Sequence, residues 1–434
     1  MKRRDVIGTL GLAGLFPFAM PPEAEAATPS VSPRIHDISV IETEPQGVRL
    51  SVVKIQTDQP GLYGYGCATF TQRADLIKPA VEKYLKPFLA GKETNRIEDI
   101  WQSCYASSYW KNGPTLNCAI SGVDQALWDI KGRLLGQPVY QLAGGKCREA
   151  VDCYGHAGGA DAHAVTDDVR RYMAQGYRHL RVQVGVPTTE RYKNATLHSG
   201  PSFDAAQYIR QTLKMFEACR TELGDEIELL HDVHERVSPR QAVQFCKDAE
   251  RFHMFFMEDP LSPEDLAYFR QIRSQCATPI AMGELFNSPH EWIPLISEGL
   301  VDYIRVHVSQ SGGFTPARKI ATLGELFQVK TAWHGPNDLS PIGHAANATL
   351  DLVSHNFGIQ EFTPYGSHAE EIFHGSPVFK NGYLYVNEAP GWGIEVDEKA
   401  AARFPFGGGE TGDKKRLNGG WGELRKADGT LIKQ

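Results

Sequence analysis

The chain has 434 residues, 41% hydrophobic and 22% charged, with 42 Gly and 26 Pro, the make-up of an ordinary globular protein with room for a large barrel and a second, smaller domain. A formal net charge of -7 and a pI near 6.1 exclude a basic field for nucleic acid or an anionic membrane, and no Lys/Arg block follows the N-terminus. The partner these properties leave is a small molecule.

The first 26 residues differ in character from the rest. Lys2, Arg3 and Arg4 precede an apolar run from Val6 to Met20, and Ala24-Glu25-Ala26 follows as a small-x-small cleavage site. The run is too short, and too broken by Pro17, to span a membrane. The adjacent arginines resemble a bacterial twin-arginine export signal, so the folded protein is expected to start near Ala27, to lie in the periplasm and to have no membrane span. Eight cysteines (Cys67, Cys104, Cys118, Cys147, Cys153, Cys219, Cys246, Cys276) are scattered without any C-x-x-C spacing. In a chain of this size they read as buried free thiols.

Residues 33–148 begin with alternating apolar stretches and turns, ISVIETEPQGVRLSVVKIQTDQPGLYGYGCATF, followed by helical patterns in DLIKPAVEKYLKPFLA and LNCAISGVDQALWDIKGRLLG. They predict an α+β domain. From about residue 149 to 375 eight short apolar runs alternate with amphipathic segments: AVDCYGH, HLRVQVG, IELLHDVH, MFFMEDP, PIAMGE, VDYIRVHV, VKTAWHG and FGIQEF. Eight strand-helix units predict an α/β fold, a (β/α)8 TIM-type barrel. The polar stretch PTTERYKNATLHSGPSFD reads as a loop inserted after the second strand. Residues 376–434 read as a C-terminal segment that completes the first domain and wraps the surface.

Three acids end consecutive barrel strands. Asp232 and Glu258 are 26 residues apart, as are Glu258 and Glu284, and in a barrel such strand ends form one rim. Carboxylates gathered in a partly dry mouth repel one another unless a cation keeps them ionised. All-oxygen ligation favours Mg2+. Each acid could instead cap the helix that follows it. In LLHDVHER a continued strand would place Asp232, His234 and Arg236 on one face. His334 ends strand seven and Glu361 ends strand eight, giving the rim two imidazoles for proton transfer near neutral pH.

Together YWKNGP, SGVDQALWDIKGRLLGQPVYQLAGG, LLHDVHER, MEDP, GELFNS, DYIR and HGPNDLSP resemble the enolase superfamily of mandelate racemase/muconate lactonizing enzyme-like proteins, and within it the mannonate dehydratase-like group. The resemblance implies a capping domain over the barrel, Mg2+ on Asp232, Glu258 and Glu284, and removal of a proton next to a carboxylate, a chemistry that general treatments of this superfamily describe. It implies dehydration of a sugar acid such as mannonate or gluconate to a 2-keto-3-deoxy acid, by a homo-oligomeric hydro-lyase. In place of the Lys-x-Lys of many relatives stands Arg181-Val182-Gln183, so the resemblance makes Arg181 with Tyr192 the base, His234 the acid and His334 a further catalytic group. It places Arg305, Glu361 and Asp338 at the substrate, with Trp392 in PGWG a further candidate there that reads more readily as packing than as recognition, and Thr71 to Arg73 and Tyr109 to Pro114 over the mouth. Pro336 and a short loop after strand two depart from efficient mannonate dehydratases. They leave open an acid-sugar epimerase or cycloisomerase, or a weakly active or inactive sugar-acid-binding relative.

Overall fold

The computed structural model describes residues 32–185, 202–336, 338–407 and 425–432. The export signal read in residues 1–26, and Tyr192, lie outside them.

Strands β1 (Ile35–Thr43), β2 (Leu50–Thr57) and β3 (Tyr63–Cys67) form an antiparallel meander. Most of their β-branched residues, among them Ile38, Val40, Val52, Val53 and Ile55, are buried. Helices α1 (Ile97–Ser107) and α2 (Pro114–Leu135) complete this cap. Helix α2 starts with Pro at its first position and stops at Gly136 in the left-handed conformation, the expected asymmetry of helix ends. It lies so close to β3 that a Cβ on Gly66 would sit 2.0 Å from the Gly122 carbonyl oxygen. The buried Asp129 carboxylate accepts from the backbone N–H of Tyr65 and of Trp392, both at 2.9 Å, and from Arg133 at 3.0 Å.

The barrel follows. Its strands are β4 (Val151–Gly159), β5 (His179–Val184), β6 (Glu228–Asp232), β7 (Phe256–Glu258), β8 (Ile280–Met282), β9 (Tyr303–Ile304), β10 (Lys330–Thr331) and β11 (Gln360–Glu361). Neighbours in this order pair in parallel from β4 to β10, β11 pairs with β4, and a parallel bridge from Thr331 to Phe357 closes the ring. Between them run α3 (Ala162–Met173), α4 (Ala205–Leu223), α5 (Pro239–Ala249), α6 (Phe269–Gln275), α7 (Pro289–Ser297), α8 (Phe314–Leu326) and α9 (Pro341–Val353). Helices α5, α7 and α9 each begin with a Ser-Pro pair, Ser at the N-cap and Pro at the first turn. That chemistry starts a helix sharply after a rim loop.

One layer of the barrel interior is apolar: Tyr154, Leu230, Phe256, Ala281, Tyr303, Ala332 and Ile359. The C-terminal segment does more than pack on the cap. Val378–Lys380 and Tyr383–Tyr385 form a hairpin that pairs antiparallel with β4 and so extends the barrel sheet. Residues after it do reach the cap, where the Thr43 hydroxyl donates to the Ala401 carbonyl at 3.1 Å. All eight cysteines are free thiols, and all but Cys147 are buried. Among the described residues no helix is long and apolar enough to cross a membrane.

Candidate active site

Side chains on a strand repeat their direction every second residue, and this alone generates the site. Two positions beyond Tyr154, Leu230, Phe256, Tyr303, Ala332 and Ile359 stand His156, Asp232, Glu258, Arg305, His334 and Glu361. A charged layer therefore rests directly on the apolar one, at the C-terminal ends of the strands. Strand β8 breaks the pattern. Two beyond Ala281 is Gly283, whose φ of +138° suits glycine, and the turn it makes delivers Glu284 one residue later.

Arg305 is the hub of this layer. It has no solvent exposure, and its two terminal nitrogens reach Asp259 (2.9 Å), Glu284 (2.7 Å), Glu258 (2.9 Å), Glu361 (2.8 Å) and the Tyr154 hydroxyl (3.1 Å). A second guanidinium, Arg181, lies 3.1 Å from both Asp232 and Glu258. Arg305 and Glu361, both expected at the substrate, stand in this layer beside the candidate metal ligands Glu258 and Glu284. Both side chains are fully buried, and Glu361 is also 2.7 Å from His156 Nε2 and accepts from the Gly335 N–H at 3.1 Å. Interior charges this deep persist only when paired and hydrogen-bonded, so these two residues hold the layer together.

Burial raises the pKa of Glu258. It also works to raise those of Glu284 and Glu361, but the groups around them prevail and hold both well below the usual range: His334, His234 and Arg305 for Glu284, and Arg305, His334 and His156 for Glu361.

Strand β6 ends at Asp232. The shared face expected for Asp232, His234 and Arg236 does not form, because His234 (φ +56°) and Glu235 (φ +53°) both adopt the left-handed conformation and turn the chain. His234 nevertheless arrives at the site, with Nε2 3.3 Å from Glu284 and Nδ1 3.3 Å from Glu235. Although burial opposes its charge, Asp232 and Glu284 raise its pKa to about 10 and favour the imidazolium. His334 Nε2 is 3.4 Å from Glu284, and burial lowers its pKa. Its ring stands 5.1 Å from His307, which lies 3.8 Å from Asp338. Burial pushes the Asp338 carboxyl up to about 6.

The arrangement fits a divalent cation. One oxygen of Asp232, Oδ1, is buried and has no hydrogen-bond partner among the described residues. Ligating atoms of Asp232, Glu258 and Asp259 lie within 4.8 Å of one another, as do those of Asp232, His234 and Glu284. Asp232 is thus common to two acidic groups that between them contain all three expected ligands.

Trp392, a candidate at the substrate, packs instead. Its indole donates to the Gln125 carbonyl at 2.9 Å and meets Phe314 edge-on, between cap and barrel. Next to the segment Tyr109 to Pro114, expected over the mouth, the cap bonds barrel loops: the Gly113 N–H donates to Asn287 Oδ1 at 3.0 Å, and Asn117, just after the segment, donates to the carbonyls of Asn287 and Gln310, both at 2.8 Å. Tyr109 and Trp110 beside it are 81% and 78% exposed. His156, Asp259, His307, Tyr154 and Glu235 belong to the site without having been expected there. The two-residue rule would have found His156 and, counted on from Arg305, His307.

The fold and its charged layer define a capped (β/α)8 barrel of the kind that works at its strand ends. Residues 24–144 match the mandelate racemase/muconate lactonizing enzyme N-terminal domain, and residues 164–400 match the enolase C-terminal domain-like family. A D-galactonate dehydratase family member of Musicola paradisiaca is 46% identical over 417 residues, 92% of this chain and 98% of the relative. Another, of Enterococcus gallinarum, is 49% identical over 381 residues, 86% of this chain and 93% of the relative. A solved enolase of Pantoea ananatis with bound D-gluconate and Mg is 46% identical, with a TM-score of 0.87, covering 93% of this chain and 100% of the other. The chain belongs to the mandelate racemase/muconate lactonizing enzyme branch of the enolase superfamily and, within it, to the D-galactonate dehydratase family. These relatives carry the galactonate name, where the sequence motifs suggested the mannonate one.

Proposed function

We propose that the protein is a Mg2+-dependent dehydratase of an aldonic acid, with D-gluconate the first candidate and D-mannonate and D-galactonate next, yielding the 2-keto-3-deoxy acid. The observation that carries this reading is the buried Asp232 oxygen without a hydrogen-bond partner among the described residues, on a residue whose ligating atoms lie within 4.8 Å of those of Glu258 in one group and of Glu284 in another. The family name of the relatives and the D-gluconate and Mg bound to the Pantoea ananatis protein support it.

Asp232, Glu258 and Glu284 would hold the ion. When bound, it supplies positive charge against which the substrate carboxylate can accumulate negative charge. The chain's own residues then handle protons. A base takes the proton from C2, and we assign this to Tyr192 acting with Arg181. His234, held as imidazolium by Asp232 and Glu284, gives a proton to the 3-hydroxyl, which leaves as water when the C3–O bond breaks. The enol gains a proton at C3 and becomes the ketone. His334, kept neutral by burial, is suited to accepting a proton on the same rim.

The test is a screen of hexonates and pentonates with Mg2+, read by semicarbazone formation. Keto acid from at least one substrate is expected. Inversion at C2 without keto acid would make the protein an epimerase, and binding without any product would make it a sugar-acid-binding relative.

A further inference from the structure

A second cluster of donors lies beside the acidic one, and its chemistry differs. His307, two residues beyond Arg305, and His334 are both buried, with their rings 5.1 Å apart. Asp338 follows in the loop that leads into α9, its Oδ1 3.8 Å from His307 Nε2. One ligating atom from each of the three residues lies within 4.8 Å of the other two. Asp338 Oδ1 and His334 Nδ1 are buried without a hydrogen-bond partner among the described residues. Buried polar atoms left in that state are uncommon, and an ion or a water is the usual partner.

The backbone carrying the two imidazoles is fixed from outside. The His334 carbonyl accepts from Asn347 at 3.1 Å, the Gly335 carbonyl accepts from His344 Nε2 at 2.8 Å, and the Gly335 N–H donates to Glu361 at 3.1 Å. The His307 carbonyl accepts from the Ser311 N–H at 3.0 Å. Donors held by such a surround need little reorganisation to receive an ion. Ligands on one tetrahedral Zn2+ stand about 3.4 Å apart, so His307 and Asp338 already nearly span one, and side-chain shifts of about 1 Å close the cluster. The Gln310 N–H reaches His307 Nδ1 at 3.4 Å. Ligation through Nε2 leaves the imidazole proton on Nδ1 and gives up that long bond.

We propose that His307, His334 and Asp338 form a second cation site, selective for a divalent transition metal such as Zn2+. Two imidazole nitrogens and one carboxylate oxygen suit Zn2+, Co2+ or Ni2+, whereas the three carboxylates of Asp232, Glu258 and Glu284 suit Mg2+. Water fills the remaining positions. An ion held there engages both imidazoles and withdraws His334 from the proton transfer proposed above, which makes the site an inhibitory one. That consequence rests on the dehydratase reading; the binding does not.

The experiment titrates the full chain with Co2+ in the presence of excess Mg2+ and follows visible absorption. The expected result is one equivalent of bound Co2+ that Zn2+ displaces and further Mg2+ does not. His307→Gln and Asp338→Asn should each weaken Co2+ binding by about tenfold or more, with Mg2+ affinity, read by calorimetry, unchanged. His234→Asn alters the other histidine-containing cluster, Asp232, His234 and Glu284, and should leave Co2+ binding as it is. Displacement of Co2+ by Mg2+, or Co2+ binding that both His307→Gln and Asp338→Asn leave untouched, would overturn the proposal. Should the variants fail to fold, Cu2+ bound to the parent protein decides. Its electron paramagnetic resonance should show two imidazole nitrogens on the ion, and one or none overturns the assignment.

Discussion

Arg305 and Glu361 lie 2.8 Å apart with neither side chain reached by solvent. The pair sits among three further carboxylates of the same layer, Glu258, Asp259 and Glu284, all within 2.9 Å of Arg305. Removing the cation strands like charges against one another in a dry interior. Arg305→Met should therefore destabilise the fold by about 3–5 kcal/mol, as breaking a buried ion pair from one side does. Urea unfolding measures this, and a loss below about 1 kcal/mol would mean that the carboxylates are neutralised in some other way.

Glu258→Gln removes one anionic oxygen while nearly keeping the side chain's shape. Mg2+ affinity should fall by about tenfold or more, an amount that loss of even an outer-shell partner produces, and any turnover should fall with it. Calorimetric titration with Mg2+ reads the first quantity. Unchanged affinity would remove Glu258 from the ligand set.

His234→Asn keeps a polar group but loses proton transfer near neutral pH, so dehydration should drop by about 10²-fold or more. Mg2+ binding should survive. Tyr192→Phe should instead abolish exchange of the substrate's C2 proton in D2O, followed by NMR. If His234→Asn loses exchange and Tyr192→Phe keeps it, the two roles are reversed.

Asp124, buried in α2, accepts from both the N–H (2.9 Å) and the hydroxyl of Thr315 at the start of α8. Burial, only partly offset by those bonds, raises its pKa from 3.8 to about 7. A raised folded-state value means that its contribution to stability is complete below pH 3.8 and is lost as the pH rises through about 7. Between these limits it imposes a slope of up to about -1.4 kcal/mol per pH unit on the unfolding free energy. Asp124→Asn should lack that component, so the difference between parent and variant should vary with pH between 4 and 7. Parallel pH profiles would show that Asp124 is ionised throughout.

The eight strands were legible although three of them have only two residues in the ladder, Tyr303–Ile304, Lys330–Thr331 and Gln360–Glu361. Their apolar runs and flanking turn residues extend well beyond the paired atoms, and a pattern reads the run. The acids at strand ends were legible for the same reason. The turn at His234 and Glu235 was not, because a positive φ at residues other than glycine leaves no mark in hydropathy. Asp259, with φ +40°, was missed likewise: the backbone rotates a side chain inward from a position that alternation assigns outward. The burial of Arg305 and Glu361 depends on how many charges face one another across the ring, a property of eight strands together that no single segment displays.

Asn287 grips the start of α2 twice, taking the Gly113 N–H on its side chain and one proton of the Asn117 amide on its own carbonyl, while Gln310 takes the other. The cap segment at the mouth is thereby indexed to two loops that belong to the other half of the molecule. A swap confined to the N-terminal half carries only one side of these three hydrogen bonds. A transplanted cap segment keeps the Gly113 bond only where the recipient offers a side-chain oxygen at 287, as Asn or Asp does, so two stretches 174 positions apart must match for that contact to survive.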